Sequence, residues 1–129
     1  MGNHWVLGTV RPLRQQIELW DSLGGIQGQW SKNDTWRAYC NIFLRWLKFQ
    51  CGIGSDLDTK TWKYNPCSRP KQDNGYDCGV YVCTTAHCLA LNIHPVFRTE
   101  DMKQQRKNIA ATILNKGFTG EFKWAEQGL

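Results

Sequence analysis

The chain reads as an α+β protein, a small sheet with packed helices, and three features of its 129 residues carry that reading. Short apolar stretches at 4–10 and 16–20 flank Arg11-Pro12-Leu13-Arg14-Gln15, the pattern of two strands joined by a turn. Longer runs beginning near Trp36 and at Cys78 repeat apolar residues every three or four positions, the period of a helix face. Clusters of Gly, Pro, Asn and Asp separate the two kinds of segment.

Taken in order, the first strand starts at His4 and the second ends at Trp20, so Asp21 falls just past it. An antiparallel hairpin sets the start of one strand beside the end of the other, which makes His4 and Asp21 neighbours. Ser31-Lys32-Asn33-Asp34 opens a helix on which Trp36, Tyr39, Cys40, Phe43, Leu44 and Leu47 share an apolar face, and Gly52 and Gly54 end it. Thr61 to Tyr64 form a third strand closed by Asn65-Pro66, and residues 65–77 then deliver the chain to Cys78 as a loop. From Cys78, the run Val80, Tyr81, Cys83, Thr84, His87, Cys88, Leu91 keeps a helical period until Asn92-Ile93-His94-Pro95 breaks it. Thr99 caps a last helix, with Glu100 and Asp101 in its first turn and Met102, Ile109, Ile113 and Leu114 facing inward. Gly117 stops it, which divides the chain into a domain over 1–116 and a tail over 117–129.

Composition narrows the function classes. With 41% hydrophobic and 21% charged residues the chain is globular, and seven tryptophans are available as anchors for a core or a groove. The net charge of +5 comes from scattered Lys and Arg without a basic block or a recognised nucleic-acid motif, so no nucleic-acid partner is expected. No apolar run approaches a membrane span and no basic segment precedes an apolar stretch at the start, so neither membrane nor secretion is expected. Val6 stands where N-myristoylation wants Ser or Thr. The expectation is an intracellular monomer, nuclear or cytoplasmic, whose six cysteines stay reduced.

Cys78 stands directly before Gly79 at the start of a predicted helix, where the positive end of the dipole favours a thiolate. A nucleophilic thiol needs a base, a group that orients the base, and a donor for the oxyanion, and His4, Asp21 and Gln72 are the candidates. Gln72 precedes Cys78 by one loop, so its amide can reach back and donate together with the Cys78 backbone N–H. Gly79 leaves room for the close approach of a substrate backbone. Cys83, His87 and Cys88 share a helix with Cys78, yet the chain has no C-x-x-C pair, so these three are expected to pack in the core and no metal or other cofactor is expected. Cys40, Cys51 and Cys67 read as structural or incidental thiols.

His4-Trp5, Asp21-Ser22 and the run Gln72-x-Asn74-x-x-Asp77-Cys78-Gly79 together resemble the Ulp/SENP family of cysteine proteases, which process ubiquitin-like modifiers such as SUMO. The resemblance runs from His4 to about Leu114 and includes the helix around Arg106-Lys107. It implies the papain-like fold shared with the adenovirus protease. It also implies Cys78 as nucleophile, His4 as general base, Asp21 as orienting carboxylate, Gln72 as oxyanion donor, and Trp5 with Gly79 lining a narrow slot over the modifier's C-terminal Gly-Gly. Family domains carry a substantial segment before the catalytic histidine, whereas only Met1-Gly2-Asn3 precede His4, so the chain resembles the second half of that domain. The implied function is a peptidase or isopeptidase that cleaves after the C-terminal glycine of a ubiquitin-like modifier. The alternatives are a truncated or vestigial non-catalytic module that binds such a modifier, and a relative of the adenovirus-type protease.

Overall fold

The computed structural model describes residues 4–24, 34–50, 61–67 and 69–115. Its strands are β1 (Leu7–Arg11), β2 (Gln16–Trp20) and β3 (Lys63–Cys67), and its helices α1 (Asp34–Gln50), α2 (Cys78–Ala90) and α3 (Met102–Leu114). The sheet order is β1-β2-β3. β1 and β2 pair antiparallel from Leu7 opposite Trp20 to Arg11 opposite Gln16, while β2 and β3 run parallel with Ile17 beside Tyr64.

The predicted hairpin forms, but His4 precedes β1 instead of starting it. The connection is a short 3-10 turn, Pro12–Arg14, which Gln15 leaves at φ 49, so the reversal needs a left-handed residue there. The third strand runs later than expected and contains Pro66. That residue is tolerated because β3 pairs only with β2 and lies at an edge of the described sheet, where a missing N–H breaks no ladder.

Alternation along β1 and β2 turns Val10, Ile17 and Leu19 to one face, where α1 covers them. Ile17, Leu19, Cys40, Leu44 and Trp62 are buried together, with Val6, Phe43, Leu47 and Tyr64 packed around them. Gly8 is part of this fit, since a Cβ there would collide with the Phe43 ring. Tyr39, expected on the same apolar face, is 49% exposed; it belongs to a second stripe with Ile42, Trp46 and Phe49 on the outer side of α1. The Trp36 side chain, residues 31–33, Gly52 and Gly54 lie outside the described residues.

A second cluster, Val80, Tyr81, Phe97 and Met102 with Ile109, joins α2 to α3. The Tyr81 hydroxyl ties this layer to the loop by donating to the Lys71 carbonyl at 3.2 Å, and it lies 2.9 Å from the Thr99 hydroxyl. Thr99 starts a 3-10 turn instead of capping α3, and it is Asp101 that accepts the Arg98 backbone N–H, at 2.8 Å. Ile113 and Leu114, expected to face inward, are exposed because nothing described packs on the last turn of α3. Cys83 also points outward, whereas Cys88 on the same helix is buried. Gly117 and the tail lie outside the described residues.

Candidate active site

Three element ends meet at one place. His4 lies three residues before β1, Asp21 follows the last residue of β2, and Cys78 is the first residue of α2. His4 Nε2 is 2.7 Å from Asp21 Oδ1. The same oxygen accepts the Leu23 backbone N–H at 3.0 Å, and the Asp21 backbone N–H donates to the Cys67 carbonyl at 2.8 Å. The β2–β3 ladder thus continues one step past the strands and fixes the buried carboxylate. With Nε2 committed to Asp21, Nδ1 is the ring nitrogen left for the hydrogen bond that joins His4 to the Cys78 thiol.

The charges of this pair oppose its burial. Burial alone would push the Cys78 thiol up, but the Trp5 backbone N–H, the His4 imidazole and the Gly79 backbone N–H outweigh it and hold the thiol below its ordinary value. Burial likewise pulls His4 down, and its hydrogen bonds to Cys78 and Asp21, reinforced by their negative charges, raise it above the ordinary imidazole value. Both shifts favour a thiolate beside an imidazolium. Elsewhere burial dominates: Cys40 and Cys67 are pushed up to about 11, Cys67 with help from the Glu18 charge, and Cys88 is raised as well.

The loop before α2 is ordered by polar contacts. Asn74 Oδ1 accepts the backbone N–H groups of Tyr76 at 3.1 Å and Asp77 at 3.0 Å, and its Nδ2 donates to Asp77 Oδ2 at 2.8 Å. From α3, Arg106 Nη2 donates to Asp77 Oδ1 at 2.6 Å and to the Tyr76 carbonyl at 3.2 Å. Asp77 occupies the N-cap position of α2, yet its engaged carboxylate makes no cap bond. The first-turn N–H groups, which have no intrahelical partner, therefore stay available to the thiolate and to a substrate oxygen.

Gln72 is 3% exposed. Its Nε2 donates to the Asn74 carbonyl at 2.6 Å, its Oε1 accepts the Ser22 hydroxyl, and its backbone N–H donates to the Ser22 carbonyl at 2.9 Å. Trp5, by contrast, is 64% exposed, so it is no core residue. Its indole overlies Gly79, where an added Cβ would lie 3.8 Å from Trp5 Cδ1. A groove of about 530 Å³ opens here, lined by Trp5, Cys78 and Gly79 together with Ile109 and Ile113 of α3.

The structure thus brings His4, Asp21 and Cys78 together with Trp5 and Gly79 beside the thiol, and holds Gln72 in the loop that leads to it. Sequence reasoning noted Ser22, Asn74, Asp77 and Arg106 only as parts of a motif; their hydrogen bonds supply the work they do. Among the described residues no three His, Cys, Asp or Glu side chains gather as metal ligands, and no helix is long and apolar enough to cross a membrane.

Residues 1–118 match the sequence model of the Ulp1 protease family, C-terminal catalytic domain. The chain belongs to that family. It is 25% identical over 118 residues to human Sentrin-specific protease 2, an alignment covering 88% of this chain and 18% of that protein. The Chaetomium thermophilum Ulp1-like SUMO protease catalytic domain superposes with a TM-score of 0.68 at 33% identity, over 92% of this chain and 44% of the other. The C-terminal Ulp1 protease domain, solved in complex with Smt3, the yeast orthologue of SUMO, gives 0.68 at 27% identity, over 87% and 47%. The α+β protease fold expected from the sequence is therefore the fold of its relatives, and the chain spans about half the length of these solved domains.

Proposed function

We propose that this chain is a cysteine-type peptidase or isopeptidase that cleaves after the C-terminal glycine of a ubiquitin-like modifier of the SUMO type. The observation that carries the reading is the line Asp21–His4–Cys78, in which a buried carboxylate 2.7 Å from the imidazole accompanies a thiol pulled below its ordinary value. Membership of the Ulp1 family supports the substrate class.

In this reading the Cys78 thiolate attacks the glycine carbonyl carbon, and the π electron pair moves onto the oxygen. The Cys78 backbone N–H and the Gln72 amide donate to that oxyanion. Preorganised donors of this kind are worth about 3 kcal/mol each. Imidazolium His4 gives its proton to the departing amine as the C–N bond breaks, leaving a thioester on Cys78. Water, deprotonated by His4, then attacks the thioester and releases the thiolate. Asp21 holds the ring in the tautomer and orientation that both proton transfers need. In this reading the Trp5 ring, next to Gly79 at the edge of the groove, lies over the substrate backbone and favours glycine, the residue without a Cβ, at the cleavage site.

The test is a SUMO carrying a C-terminal electrophile. Covalent labelling that disappears in Cys78→Ala and drops strongly in His4→Ala is the expected result. Absence of labelling by any ubiquitin-like probe in folded protein would remove the peptidase reading. Probe binding without labelling would instead identify a non-catalytic modifier-binding module.

A further inference from the structure

We propose that Ser22 is a positioning residue for the oxyanion donor, so that the dipeptide Asp21-Ser22 at the end of β2 sets both sides of the site. Asp21 holds the base and Ser22 holds the Gln72 amide. The chemistry rests on the peptidase reading above; the placement rests on hydrogen bonding alone.

A glutamine amide has two orientations that differ by exchange of its nitrogen and oxygen, and only its partners decide between them. The Asn74 carbonyl can only accept, so the end of Gln72 that faces it at 2.6 Å is Nε2. Oε1 then faces Ser22 Oγ, and the serine hydroxyl must donate. A second contact, from the Gln72 backbone N–H to the Ser22 carbonyl at 2.9 Å, locks the two residues as a pair across fifty positions of sequence. Ser22 is 7% exposed and Gln72 3%, so water is poorly placed to replace a lost hydroxyl. Without it Oε1 is left buried and unsatisfied, and the amide leaves its orientation to recover a partner. Held by Ser22 and Asn74, Nε2 keeps one N–H for Asn74 and has its second for the carbonyl oxygen that Cys78 attacks.

Because Asp21 and Ser22 are consecutive, one strand end sets the proton-transfer side and the oxyanion side together. A shift of that end would disturb both, whereas loss of the Ser22 hydroxyl alone touches only the second. This separation makes the idea testable. Alkylation of Cys78 by iodoacetamide attacks a saturated carbon and builds no oxyanion, so it reads the thiolate–imidazolium pair without Gln72. Hydrolysis of a SUMO bearing a C-terminal glycine coumarin amide reads both.

Ser22→Ala is expected to lower kcat about tenfold, the worth of one hydrogen bond, with KM and the alkylation rate unchanged. Ser22→Thr, which keeps the hydroxyl, should recover much of the loss. Ser22→Ala combined with Gln72→Ala should be no slower than Gln72→Ala alone. In the free protein, the ¹⁵N heteronuclear NOE of the Gln72 side-chain amide should fall in Ser22→Ala. Unchanged kcat, additive losses in the double variant, or alkylation slowed in step with turnover would each overturn the proposal. If the wild-type chain hydrolyses no modifier substrate, the peptidase reading fails on its own account, and a Gln72 amide that stays rigid in Ser22→Ala would still overturn the positioning of Gln72 by Ser22.

Discussion

Cys40 and Cys78 are both buried helical thiols, 0% and 6% exposed, and they are driven in opposite directions. Cys40 sits midway along α1 against Ile17, Leu19, Leu44 and Trp62, where burial penalises a negative charge, and it is pushed up to about 11. Cys78 stands at the first turn of α2, where backbone N–H groups and the His4 ring meet its sulfur and hold it down. Burial penalises the anion in both places, so what separates an inert cysteine from a reactive one is the set of oriented donors. The two regions are built accordingly. Non-directional apolar packing holds α1 to the sheet, whereas the site is held by directed polar contacts through Ser22, Gln72, Asn74, Asp77 and Arg106.

Removing the donors from one side should make Cys78 resemble Cys40. His4→Ala takes away both the hydrogen bond and the charge, and turnover should fall by about 10²–10⁴. Steady-state kinetics on a SUMO C-terminal amide check this, and near wild-type turnover would mean that another group serves as base.

Arg106→Ala acts one step further away. It releases Asp77 Oδ1 while Asn74 still holds Oδ2, and it leaves a negative charge near the thiolate without its guanidinium partner. Cys78 should titrate higher and turnover should fall by about tenfold or more. Stability should drop by about 1 kcal/mol, because the Arg106 side chain is 51% exposed and solvent screens the pair. Urea unfolding alongside the alkylation profile separates the two effects, and a stability loss with an unchanged thiol titration would reduce Arg106 to a purely structural role.

The smallest chemical effect belongs to the other region. Cys40→Ser places a hydroxyl in the apolar cluster and should cost about 2 kcal/mol of stability. The alkylation rate of Cys78 should be unchanged while the protein stays folded. A slowed Cys78 would show that the core and the site are coupled.

Much of this contrast can be read in the sequence, and the remainder has identifiable causes. The hairpin is legible because alternation and a Pro-containing turn fix its register locally, and that register carries Asp21 back to His4. The start of α2 is legible because a helical period begins directly after a loop-forming run. The exposure of Tyr39, Ile113 and Leu114 is not legible, because periodicity identifies apolar faces without saying which one is covered. α1 carries two such faces, and only that of Cys40, Leu44 and Leu47 meets the sheet. Pro66 misled because its effect depends on whether β3 lies at an edge, which is a property of the sheet and not of the segment. The partnership of Ser22 with Gln72 has no local signature at all, since two polar residues that far apart are joined only by the folded chain.

Oriented donors at the start of α2 outweigh burial and shift Cys78 toward its thiolate and His4 toward its protonated form. The pH dependence of Cys78 alkylation by iodoacetamide, with the modified residue identified by mass spectrometry, tests it most directly. Reactivity follows the thiolate, so the depressed thiol should remain reactive below the ordinary thiol range and lose reactivity only as pH falls through its lowered pKa. In His4→Ala the loss of the cation and its hydrogen bond disfavours the anion, and the midpoint should move up. A wild-type midpoint at or above the ordinary thiol value, unmoved by His4→Ala, would contradict the account.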